Sequence, residues 1–181
     1  MISYIEKGIG LHEEIARQGH RLENRDGTWI SDNDAAVQAI IDSYDPLPYE
    51  KQQAHSAIDE AAGRARARYI TVAPGQESTY QLKREQAQAY KNAGYTGAVP
   101  ALVQAEADAT GSTPQQAADN ILAVAAQWET LAAQIEKTRR QGKLQVDAVT
   151  LANLTDQAAI TLALNSIRAA ADNAVATLDA I

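Results

Sequence analysis

Two groupings of residues in this sequence carry types that could bind or activate a ligand. Gly8-Ile9-Gly10 stands before a predicted helix, and backbone N–H groups at a helix start can hold a phosphate or another anion. The third glycine and the preceding buried parallel strand of a dinucleotide-binding loop are missing, so the glycines read as a turn in the chain. His12, His20 and His55, with Glu13-Glu14 beside the first, are the candidate metal ligands. No two histidines stand four apart as on a helix-borne zinc motif, and no acidic trio has the spacing of a calcium loop. They read as surface or partly packed histidines, with no metal and no cofactor.

Nucleophilic and acid–base chemistry is equally thin. There is no cysteine, and Ser78, like the other serines, lies in a polar, helical or turn context without a nucleophile elbow. Glu13-Glu14 and Asp59-Glu60 are adjacent on predicted helices, where neighbours point about 100° apart and cannot clasp one substrate oxygen. The expectation is a protein that is not an enzyme. Arg64, Arg66 and Arg68 form a basic cluster, but their alternate spacing spreads them around a helix. The net charge of −7 is uneven. Met1 to Glu50 holds ten acidic against four basic side chains, and Lys51 to Lys91 seven basic against four acidic. That pattern gives no stripe to neutralise phosphates, so no nucleic-acid partner is expected. Tyr69, Tyr80, Tyr90 and Tyr95 are candidates for a protein interface, because tyrosine combines apolar area with a polar tip. The plainer reading is that they fill space in a chain with no Phe.

The elements that must position these residues are mostly helices. Two long runs between Thr113 and Ile181 carry apolar residues at alternating steps of four and three: Ile121, Ala125, Trp128, Ala132 and Ile135, then Ile160, Leu164, Ile167, Ala171, Ala174, Leu178 and Ile181. One apolar residue every 3.5 positions lays a narrow seam that seeks another helix, within the chain or in a second one. Thr113-Pro114-Gln115-Gln116 opens the first run with a cap, a first-turn proline and a glutamine at the third position. The run is expected to end near Gln141 with Gly142 as its breaker and Lys143 to Val146 as a bridge. The last helix then continues to the end of the sequence, with Asn153 as its weakest point.

Upstream, Ile2 to Ile5 and Gly27 to Ile30 have strand character, and Asn24-Arg25-Asp26-Gly27 supplies turn chemistry for a hairpin. Leu11 to Gln18 reads as a helix closed by Gly19, and Ser31 as the N-cap of a helix through Val37, Ile40 and Ile41. The expectation is a β-α-β-α head with Ile5, Ile15, Leu22, Trp29, Val37, Ile40 and Ile41 as its core. At this size it is marginal alone and leans on something else. Helices follow over Tyr49 to Val72, ended by Ala73-Pro74-Gly75, over Gln76 to Asn92, and from Pro100 to Gly111. The fold class is therefore mainly α: a small N-terminal α+β head over 1–45, a helical middle over 46–112, and a long helical hairpin or coiled-coil-like region over 113–181. No run approaches the roughly 20 apolar residues of a membrane span, and no signal peptide is visible, so a protein made in a cytosol and not inserted in a membrane is expected.

Several stretches resemble bacteriophage and prophage tail proteins of the tail-fibre group. They are Arg68-Tyr69-Ile70-Thr71 with Gly75 through Tyr90, Pro100-Ala101-Leu102 with Glu106, Gly111-Ser112-Thr113, and Trp128-Glu129 with Ile135-Glu136 and Arg139-Arg140. In the head, Gly10-Leu11-His12 and Asp26 to Ser31 with Val37 to Asp42 look like the start of other phage tail proteins. The motifs are structural, and none is a catalytic signature. The resemblance implies a virion structural part, a tail-fibre or tail-tip adaptor made in the host cytoplasm, whose partners are other tail proteins. It implies a homo-oligomer, such as a trimer built on the Ile160 to Ile181 repeat. The interface residues expected on this reading are Tyr69, Tyr80, Tyr90, Trp128, Ile160, Leu164, Ile167, Leu178 and Ile181. A tail-fibre assembly chaperone absent from the finished particle is the alternative. A tail-borne cell-wall hydrolase is a third reading, for which the sequence offers no catalytic Glu in a recognisable setting.

Overall fold

The computed structural model describes residues 1–69 and 76–181, which form seven helices and one antiparallel hairpin. The chain is mainly α with a small α+β head, as the sequence implies. In order the elements are α1 (Ile9–Arg17), β1 (Leu22–Arg25), β2 (Thr28–Ser31), α2 (Asp34–Ser43), α3 (Leu47–Ala67), α4 (Gln76–Asn92), α5 (Ala101–Thr110), α6 (Pro114–Asp147) and α7 (Gln157–Asp179). Two compact units are present, one of residues 1–62 with 137–180, the other of residues 63–136 with Ile181. The expected boundaries after 45 and after 112 both fall inside a unit. Among the described residues no helix is long and apolar enough to cross a membrane.

In the first unit the hairpin turns at Asp26-Gly27, both at positive φ (50° and 83°), so that Arg25 pairs with Thr28 and Leu22 with Ser31. That is the geometry a two-residue hairpin loop requires, and the Asp-Gly pair supplies it. Ile2, Leu11, Ile15, Val37, Ile40 and Ile41 form the head core, and Tyr4, Ile5, Leu22, Trp29 and Tyr44 pack against it. The element order is α-β-β-α, because Ile2 to Ile5 is not a strand. Its backbone has no ladder partner and is bound by side chains instead, the Gln38 amide taking both the N–H and the carbonyl of Ser3. The cap of α2 is Asn33, whose side chain accepts from Ala36 N–H. Ser31 is the last residue of β2, and its hydroxyl donates to Asp34.

The last helix buries Ile160, Leu164, Ile167, Ala171, Ala174 and Leu178, the full step-four, step-three series up to half-buried Ile181. Asp156 caps it by accepting from Ala158 and Ala159 N–H. Asn153 lies outside it, in the connection from α6, where its side chain accepts from Thr155. Gly142 does not end α6, which runs on to Asp147. A Cβ at position 142 would stand 2.5 Å from Ala174 Cβ and 3.3 Å from Ile58 Cδ1. At this glycine α3, α6 and α7 pack without room for a Cβ, and a missing side chain costs a helix interior only about 1 kcal/mol.

In the second unit Ala87, Tyr90, Val103, Ala107, Ala117 and Ala118 make a core in which alanine predominates, between α4, α5 and the start of α6. The opening of α6 is a reciprocal cap: Gln116 N–H donates to Thr113 Oγ1, and Thr113 N–H donates to Gln116 Oε1. Gly111 ends α5 at φ 66°. The helix α3 is described to Ala67; Val72 and the Ala73-Pro74-Gly75 terminator expected beyond it lie outside the described residues.

Candidate interaction surfaces

The groupings with chemical potential are each absorbed locally. Gly8 N–H donates to the Glu6 carboxylate at 3.0 Å, so the start of α1 already holds an anion, the chain's own. Gly10 lies under two rings: a Cβ there would meet Tyr44 Oη at 2.3 Å and Tyr49 Cγ at 2.7 Å. These glycines permit close approach as well as a turn. Burial, with Glu14 and Glu50 nearby, pushes the Tyr44 hydroxyl up to about 12.

The histidines are dispersed. His12 Nε2 is 2.8 Å from Tyr4 Oη in a cluster where the Tyr4 and Trp29 rings stack at 3.9 Å. Burial raises the Tyr4 hydroxyl, with the Glu6 charge adding to it. His20 Nδ1 is 3.3 Å from Asp32, and His55 Nε2 lies 3.0 Å from Asp147 Oδ1 without the alignment of a hydrogen bond. Among the described residues no three His, Asp or Glu side chains converge on a point where a metal would sit.

The carboxylate pairs also diverge. Glu13 accepts from Tyr49, while Arg17 and Gln18 grip Glu14 and hold it down at about 2. Asp59 accepts from Arg139 at 2.8 Å and Lys143 at 2.5 Å. Burial pushes its carboxyl up, but those two bonds outweigh it and keep it below the ordinary aspartate range. One charged group was missed entirely in the sequence. Lys7 is fully buried and donates to the carbonyls of Ile41 and Tyr44 at 2.6 and 2.8 Å, at the C-terminal end of α2. A cation there suits the negative end of the helix, while burial lowers its pKa against the pull of Asp42 and Asp45. Nothing in the residues flanking Lys7 signals this role.

The nine expected interface residues divide sharply by exposure. Ile160, Leu164, Ile167 and Leu178 are covered within the single chain, and Tyr90 is in the core of the second unit, edge-on to Tyr95. A trimer would therefore need a surface other than the α7 seam. Trp128 and Ile181 are half-buried. Tyr69 and Tyr80 are 47% and 50% exposed, and the Tyr69 hydroxyl donates to the Ile181 carbonyl.

Exposed apolar residues that the sequence did not single out join Tyr80 in the second unit: Leu82 on α4 and Val124 on α6. Between those helices runs an open groove of about 540 Å³ with Ala89, Leu122, Ala125 and Ala126 in its walls and Gln88, Asn92 and the Arg84–Glu129 ion pair beside them. In the first unit a smaller open groove of about 310 Å³ lies between residues 149–152 and the start of α7, with Leu162 exposed at its side. No known protein family, curated protein or solved structure matches the chain.

Proposed function

We propose that this chain is a structural protein of a bacteriophage tail, a tail-fibre or tail-tip component that acts as an adaptor through protein–protein contacts. On this reading it is made in the host cytoplasm, is not an enzyme and is retained in the virion. The observation that carries the reading is the α4–α6 face of the second unit. An open groove there has apolar walls with polar and charged residues beside them, an arrangement like that of protein interfaces. The helices beneath are braced by ion pairs, Lys83–Glu106 between α4 and α5 and Lys91–Asp119 and Arg84–Glu129 between α4 and α6. A braced face loses little conformational freedom on docking. The resemblance of 75–90 and 128–140 to tail proteins falls partly on these same helices.

Quantitative mass spectrometry of purified particles from the source phage, alongside infected lysate, tests this. A fixed copy number per tail is expected. Abundance in lysate with absence from particles overturns the structural reading in favour of an assembly chaperone.

A further inference from the structure

We infer that residues 2–7 form an exchangeable strap, and that the slot it occupies is an interface to a second copy of the chain, filled by the same residues of that copy. The inference does not depend on the phage-tail reading. The segment has no helix or strand of its own and is held as a bound peptide would be. Ser3 N–H donates to Gln38 Oε1 at 2.7 Å and Gln38 Nε2 donates back to Ser3 O at 3.1 Å. Three residues on, Glu6 N–H donates to Gln157 Oε1 at 2.7 Å and Gln157 Nε2 donates to Glu6 O at 3.0 Å. A primary amide set against a peptide group reproduces the two-bond exchange of an antiparallel ladder. One glutamine on α2 and one at the start of α7 thus hold the main chain at two points.

Side chains set which segment fits. Ile2 joins the head core, and the ammonium of Lys7 is enclosed at the end of α2 by two carbonyls. The slot therefore selects an Ile-x-x-x-x-Lys segment, and this chain carries that complement. The only covalent tie from the strap to α1 is Gly8, at φ 80° and ψ −179°, a conformation essentially confined to glycine. A Cβ there would also meet Glu50 Oε1 at 2.7 Å. Opening this one-residue hinge lets the strap close on a neighbour with every contact remade, the low-cost route by which identical chains swap an element.

The absence of cysteine makes disulfide trapping a direct readout. Full-length Ser3→Cys and Gln38→Cys variants are mixed at high concentration and oxidised, with the Ser3→Cys/Gln38→Cys double variant as the geometric control. The expected result is a covalent dimer in the mixture, with position 3 of one chain joined to position 38 of the other. A mixture that stays uncrosslinked while the double variant closes within one chain overturns the inference. Light scattering of the chain with its natural residues and of Gly8→Ala gives an independent readout. A severalfold shift toward dimer in Gly8→Ala is expected, because alanine resists the closed hinge. A folded Gly8→Ala protein that stays monomeric at every concentration overturns it.

Discussion

Replacing Gly142 by alanine sets two effects against each other whose difference can be worked from the packing. Alanine favours a helix interior over glycine by about 1 kcal/mol. Against that, the new Cβ stands 2.5 Å from Ala174 Cβ, where carbon atoms ordinarily rest about 3.5–4.0 Å apart. Both atoms are fixed to helical backbones, so no rotamer relieves the contact and α6 must move from α7. Overpacking of this kind costs about 1–3 kcal/mol, and a clash without rotamer relief belongs at the upper end. The net expectation is a loss of about 1–2 kcal/mol. For a chain of this length that is a fall in Tm of about 2–8 °C. Gly63 is the internal control. It lies inside α3, and a Cβ there meets nothing within 4 Å, so Gly63→Ala should stabilise by about 0.5–1 kcal/mol. Urea unfolding followed by far-UV circular dichroism, with thermal melts in parallel, reads both. Ala174→Gly placed in the Gly142→Ala background should recover part of the loss, as a coupled pair must. If Gly142→Ala is as stabilising as Gly63→Ala, the close approach of α6 and α7 is wrong.

Three further outcomes follow from single contacts. Gly10→Ala should destabilise the chain by about 1–3 kcal/mol in a thermal melt, since its Cβ would collide with Tyr44 and Tyr49; an unchanged Tm refutes the close packing of those rings on α1. Tyr95 sits at φ 58°, held edge-on to Tyr90 while its hydroxyl donates to Asp119 at 2.6 Å. Tyr95→Phe should cost about 1 kcal/mol in urea unfolding, and no change in the midpoint means the bond contributes nothing. Asp59 has its folded pKa held below 3.8, so its pairing stabilises the chain above about pH 4 and is lost as pH falls through the depressed value. Asp59→Asn should flatten that part of the stability–pH profile, and a variant whose acid limb coincides with the natural one contradicts the pairing with Arg139 and Lys143.

What could be read in advance was local chemistry. Thr113, Pro114 and Gln116 announce the start of α6 because a capping box lies within four consecutive residues. The series Ile160 to Leu178 is a pattern of single side chains, and the buried face follows it. Three of the misreadings share one cause, which is a partner distant in sequence. Gly142 is a helix breaker only until Ala174 and Ile58 are known to press on it. Ile2 to Ile5 has strand composition, but Gln38 and Gln157 supply the pairing that a neighbouring strand would otherwise give. Tyr80 and Tyr90 are alike as interface candidates in the sequence, and only the placement of α5 and α6 buries the second and leaves the first open.

The split composition of the first unit also dictates an order of events during synthesis. Residues 1–62 leave the ribosome before any of 137–180 exist, so Ile58 is made well before its neighbours Gly142 and Ala174. At about 5–20 residues per second, the roughly 120 residues between Ala62 and Ala180 take about 6–24 s to appear. Throughout that interval Ile58 on α3 lacks its neighbours from α6 and α7, whereas residues 63–136 emerge as one uninterrupted stretch and can fold meanwhile. Nascent chains of this protein are consequently most open to proteolysis and aggregation along α3 rather than in their newest residues.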